Sequence, residues 1–130
     1  MSFKEYDEYD AMGLAELVKK KEVSAEELLD EAIQRTEKVN GQINAVVLKH
    51  YDEAKVMIQK GLPEGPFTGV PYLLKDLHVL LTGTKTTYGS KFFKDYVADH
   101  NSTLVDRYLE AGLVIFGKTN SPEFGLTVTT

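Results

Sequence analysis

Apolar residues recur every three or four positions through the first half of the chain and then gather into short unbroken runs. The change of period predicts a helical opening over about 10–60 and a sheet-forming part over about 67–130. In the opening, Asp10 stands as an N-cap ahead of Leu14, Leu17 and Val18, which share one face. That helix runs into Lys19-Lys20-Lys21, whose charge suits a helix C-terminus. Ser24-Ala25-Glu26-Glu27 forms a capping box, with Val23 and Leu28 spaced as a hydrophobic staple. Leu28, Leu29, Ala32, Ile33, Thr36 and Val39 follow at helical spacing, and Asn40-Gly41 offers residues that tolerate a left-handed ending. Residues 43–48 read as a strand or an extended connection. A third helix over about 52–60 presents Ala54, Met57 and Ile58 and stops at Gly61.

Pro63, Gly65, Pro66 and Gly69 then break the chain ahead of Val70-Pro71-Tyr72-Leu73-Leu74, a buried strand by composition that ends in Lys75-Asp76. After the apolar segment 77–81 comes a loop rich in hydroxyls and glycine, Thr82 to Ser90. Asn101 or Ser102 caps a fourth helix with a stripe of Leu104, Val105, Tyr108 and Leu109, ending at Gly112. Leu113-Val114-Ile115-Phe116 is a second apolar strand, and it too ends in a lysine and a polar turn, Gly117-Lys118-Thr119-Asn120-Ser121-Pro122-Glu123. Strand, loop, helix, strand is the layout of a βαβ crossover, so the two strands are expected parallel, adjacent or nearly so, and buried on both faces. Lys75-Asp76 and Lys118-Thr119-Asn120 would then emerge at one edge, where open α/β sheets hold ligands.

Composition narrows the chemistry. At 130 residues, with 42% hydrophobic and 27% charged content, the chain is one domain or a portion of one, and no apolar stretch reaches the length of a membrane span. A net charge of -5 argues against a nucleic-acid surface. With no cysteine there are no disulfides, zinc-thiolate sites or thiol nucleophiles, and His50, His78 and His100 lie too far apart in sequence to suggest a metal site. The acidic start, Met1-Ser2-Phe3-Lys4-Glu5-Tyr6-Asp7, lacks the apolar core of a signal peptide, which points to the cytoplasm. Neither phosphate-binding glycine spacing nor a G-x-S-x-G nucleophile elbow is present. What remains is two strand-end lysines among many hydroxyls. A desolvated lysine loses its proton more readily and can activate a serine, so Ser-Lys chemistry is the natural hypothesis. Ser90 follows Lys75 in the loop, though nothing around it distinguishes it from an ordinary loop serine, and Lys75-Asp76 taken alone also fits a solvated strand end. Spacing does not choose between Lys75 and Lys118.

Gly69-Val70-Pro71-Tyr72-Leu73-Leu74-Lys75-Asp76, Gly83 to Ser90, and Asp106 through Ala111-Gly112 to Gly117-Lys118-Thr119-Asn120-Ser121-Pro122-Glu123-Phe124 together resemble the N-terminal part of the amidase signature family. Glu22 to Leu28 and Asn44-Ala45 are similar to that family's opening helices. The resemblance implies an α/β core, helices packed on a mixed, mainly parallel sheet, and amide (C–N) hydrolysis by a Ser-cisSer-Lys triad without a cofactor. The family's K-D motif falls on Lys75, which would be the base, with Asp76 in support and Thr86, Thr87, Gly89 and Ser90 packed around the site. Thr119, Asn120, Ser121, Glu123, Phe124 and Gly125 would line the substrate cleft, leaving Lys118 a structural or cleft-edge residue.

The resemblance also implies what is missing. The family's two serines lie in a glycine- and serine-rich stretch further along, and this sequence reaches Thr127-Val128-Thr129-Thr130 without one. The expectation is an N-terminal portion of a single amidase domain, inactive alone, with apolar strands that lack neighbours on at least one side. Its expected partners are the rest of the amidase domain and a small-molecule amide, with a homodimer as an option and no direct contact with nucleic acid or membrane. Two alternatives are the amidase subunit of a tRNA-dependent amidotransferase and a non-catalytic interaction module.

Overall fold

In the computed structural model, which describes residues 3–130, the opening helices start where local chemistry predicts; Met1 and Ser2 of the acidic start lie outside those residues. Helix α1, Ala11–Lys19, begins as the Asp10 carboxylate accepts the Gly13 N–H at 2.7 Å. Helix α2, Ala25–Ile43, is opened by the complete capping box: the Glu27 N–H donates to Ser24 Oγ at 3.1 Å, and the Ser24 N–H donates to Glu27 Oε2 at 2.9 Å. Its end differs from expectation. The helix continues through Asn40-Gly41, and the left-handed residue is Asn44, at φ 48° and ψ 42°. Asn40 is engaged elsewhere, because its side-chain amide brackets Val46, accepting the N–H at 2.8 Å and donating to the carbonyl at 2.9 Å. A side chain committed to the next strand stays helical, and the reversal passes to the next residue that tolerates it.

Strand β1 is Val46–Lys49, and helix α3, Tyr51–Lys60, closes at Gly61 with φ 94°. Strand β2, Pro71–Lys75, and strand β3, Val114–Thr119, are joined through helix α4, Thr103–Glu110. The sheet order is β1-β3-β2, with β2 parallel and β1 antiparallel to β3. The parallel pair and its helical crossover agree with the sequence. Two expectations do not hold. Strand β3 is flanked on both sides, whereas β2 has one strand partner among the described residues. Accordingly β3 is buried from Val114 to Lys118, while only Leu74 of β2 is buried.

Side chains alternate across β3 and divide the core into layers. Val114 and Phe116 face α2 and α3 through Leu29, Ala32 and Ala54. Ile115 points the other way and packs with Leu74 and with Val105 of α4. A third cluster, Leu14, Val23, Leu28, Val70 and Leu113, seats α1 and the start of α2 beside the strand entrances. Burying each large aliphatic side chain contributes about 1.5–3 kcal/mol, so a sheet with helices on both faces is the arrangement that hides all three stripes. Gly117 marks the closest approach within the sheet, because a Cβ there would stand 2.6 Å from the Leu48 carbonyl oxygen. The parallel register pairs Leu74 with Lys118 and Lys75 with Thr119, which brings the carboxyl ends of β2 and β3 side by side.

Candidate active site

At that shared end the two lysines have opposite environments. Lys75, the last residue of β2, is exposed, and its amine donates to the Asn120 carbonyl. Asn120 is held from the far side: its N–H donates to the Ala45 carbonyl at 2.8 Å, and its side-chain amide donates to the Asn44 carbonyl at 3.2 Å. Lys118 is fully buried, and its amine donates to the Lys85 carbonyl at 2.5 Å and to Thr86 Oγ1 at 2.8 Å. Burial pushes the Lys118 amine down to about 8, against a weaker upward pull from the Asp76 carboxylate. Desolvation, which the sequence argument attached to a strand-end lysine, thus falls on Lys118, while Lys75 keeps its amine at the surface.

The loop after β2 is fastened to both strand ends. Asp76 is buried, its N–H extends the ladder to the Thr119 carbonyl at 3.0 Å, and its carboxylate accepts both the Thr87 N–H at 2.7 Å and the Thr87 hydroxyl. Thr86 is fully buried, and its N–H donates to the Tyr96 carbonyl at 3.2 Å. Gly89, at φ 64°, lies so close to the Ser121 carbonyl that any Cβ would collide with it. Ser90 is buried and donates to Glu123 Oε1 at 2.7 Å, so its hydroxyl serves the loop and is bonded to neither lysine. Thr119 Oγ1 donates to the Leu74 carbonyl at 3.3 Å, and the buried Ser121 donates its N–H to Asn120 Oδ1 at 2.9 Å. Gly125, at φ 69°, packs beside Leu77. All the residues that the resemblance assigns to the site or its cleft therefore fall in two touching segments, 75–90 and 119–125, with Lys118 immediately before the second.

Other features were not foreseen. Tyr88 and Phe124 both adopt left-handed backbone, at φ 57° and 54°, and the Phe124 N–H donates to the Tyr88 carbonyl at 2.8 Å. Left-handed geometry in a bulky aromatic costs on the order of 1 kcal/mol or more per residue, and here the rings pack with Phe93 and His78 to hold it. His50 is buried with no hydrogen-bond partner for Nε2 among the described residues, and its pKa is lowered by burial and then by the Lys118 charge. Only the pairing of β1 with β3 brings His50 near Lys118, and no local signal announces that pairing. A surface depression lined by Asp52, Glu53, Val56, Met57 and Lys60 on α3 shares no residue with this cluster. Among the described residues no group of three or more His, Asp or Glu could hold a metal, and no helix is long and apolar enough to cross a membrane.

Known proteins resemble this chain in sequence and in fold. The 6-aminohexanoate-cyclic-dimer hydrolase of Paenarthrobacter ureafaciens is 46% identical over 123 residues, covering 93% of this chain and 24% of that enzyme. One subunit of the glutamyl-tRNA(Gln) amidotransferase of Thermoanaerobacter pseudethanolicus is 36% identical over 124 residues, covering 90% of this chain and 25% of its own length. The solved structure of 6-aminohexanoate cyclic dimer hydrolase complexed with substrate superimposes with a TM-score of 0.87 at 44% identity, over 94% of this chain and 25% of that one. The chain thus spans about a quarter of the length of the curated relatives it matches. The model of the Amidase family matches residues 27–130, from the first turn of α2 onward, and the chain belongs to that family.

Proposed function

We propose that this chain is the lysine-bearing N-terminal portion of a cytoplasmic amide hydrolase that works through a Ser-cisSer-Lys triad, with Lys75 as its base. The observation that carries the reading is the Lys75 amine: it stands at the carboxyl end of a parallel strand, aimed by the Asn120 carbonyl and open to a partner from outside. In the proposed step a nucleophilic serine oxygen attacks the amide carbonyl carbon. Its proton passes through the bridging serine to the amine of Lys75. Collapse of the tetrahedral intermediate breaks the C–N bond as the proton goes to the leaving amine, and water repeats the sequence on the acyl-enzyme. Asp76 supports the strand end, the 86–90 loop packs around it, and residues 119–125 line the amide's cleft.

The higher identity to a hydrolase than to a component of an amidotransferase supports hydrolysis over transfer to tRNA. The test is hydrolysis of simple primary amides and of the cyclic dimer named for the relative. It compares this chain with a polypeptide that also carries a glycine- and serine-rich stretch downstream. The longer form is expected to be active and this chain silent; activity of this chain alone overturns the reading. Lys75→Ala in the longer form should lower kcat/KM on the order of a thousandfold. A loss no greater than that from Lys118→Ala would remove Lys75 from the role. Co-purification of a second subunit with amidation of tRNA would favour the transfer reaction instead.

A further inference from the structure

We propose that Lys118 is a positioning residue for Lys75, holding from beneath the sheet the loop that fixes the strand end from which the Lys75 amine projects. The proposal rests on the role assigned to Lys75 above.

Three observations carry it. Lys118 lies opposite Leu74 in the parallel register, one step before the pair Lys75 and Thr119, so it sits directly behind the end of β2. Its amine reaches out of the sheet to consecutive residues of the following loop, the Lys85 carbonyl and Thr86 Oγ1. The next residue, Thr87, gives its N–H and its hydroxyl to the carboxylate of Asp76, the residue attached to Lys75. Lys118, Thr86, Thr87, Asp76 and Lys75 therefore form a continuous chain of bonds, and four of the five are at least partly buried.

The chemistry of the position argues for this role over a purely structural one. An amine buried among neutral acceptors carries a desolvation cost that a methionine of similar length would not, so stability alone does not favour lysine here. Its lowered pKa is the signature of that cost. What a lysine supplies, and a methionine cannot, is a pair of donors long enough to cross from β3 to the loop. The two strand ends are then tied to the same loop, by Asp76 from β2 and by Lys118 from β3, which restrains the Lys75 backbone beside them.

The full chain tests this without reference to hydrolysis, so failure of the hydrolase reading and failure of this one are distinguishable. Three variants are compared with the parent: Lys118→Met, Thr86→Val, which removes the acceptor and leaves the lysine, and Thr86→Ser, which keeps a hydroxyl. The readouts are thermal unfolding, amide exchange at Thr87, and the titration midpoint of the Lys75 amine followed by NMR. Lys118→Met is expected to unfold at the same temperature as the parent or higher. Its Thr87 amide should exchange at least tenfold faster, and the Lys75 midpoint should move. Thr86→Val should move both local readouts in the same direction, and Thr86→Ser should leave them at the parent values. Unchanged Thr87 exchange and Lys75 titration in Lys118→Met overturn the proposal. So does a uniform acceleration of all amides with a lower unfolding temperature, which would mark Lys118 as merely structural.

Discussion

Lys118 and His50 are buried basic side chains, and each makes stability depend on pH in a direction that follows from its shift. For Lys118 the fall from 10.5 to about 8 corresponds to as much as about 3 kcal/mol at neutral pH. The folded state binds this proton less tightly than the unfolded chain does. The cost is therefore in full force below pH 8 and is relieved as pH rises from 8 to 10.5. Urea unfolding should show the parent gaining stability relative to Lys118→Met across that window; parallel curves would contradict the shift. His50 behaves the same way at lower pH. Its folded-state pKa lies below 6.5, so stability is lost as pH falls through that value, where only the unfolded chain takes up the proton. Replacing His50 with Gln should flatten the acid limb, and an unchanged limb would place the loss elsewhere. The Lys75-Asp76 strand end was legible because charge interrupts an apolar run. The burial of Lys118 was not, since a lysine after Phe116-Gly117 looks like another strand end until β1 covers it, with Leu48 opposite Lys118.

Among the elements, helix starts were easier to read than helix ends. Asp10 and Ser24 cap through their own side chains, which is local chemistry. The end of α2 depends on Asn40 reaching Val46, six residues ahead, and this moves the left-handed residue to Asn44. The difference is measurable. Gly41 is helical and exposed with nothing near its Cβ position, so Gly41→Ala should stabilise the chain by about 0.5–1 kcal/mol, read as a higher urea midpoint. Destabilisation would mean that the helix ends where the Asn-Gly pair suggested. Strand β2 shows the same limit of local inference. Its composition marks a strand, but whether it lies in the middle or at the edge depends on where β1 pairs, and the sequence around 46–49 does not say which strand it will join.

In the molecule as a whole, the fold class was legible because hydrophobic period and crossover length are encoded throughout the chain, and the mixed three-stranded sheet with helices on both faces agrees with it. The candidate residues were legible as a set, since they follow two apolar strands. Their interconnection was not, because Thr87 to Asp76, Ser90 to Glu123 and Tyr88 to Phe124 are meetings between loops. The carbonyl that receives the Lys75 amine belongs to Asn120, and Asn120 is tethered to Asn44 and Ala45, where α2 gives way to β1. The helical opening is thus the fixed post to which the Lys75 amine is moored. A change that shifted the Asn44 reversal by a fraction of an ångström would be delivered as a displacement of that amine, with no substitution in the sheet at all.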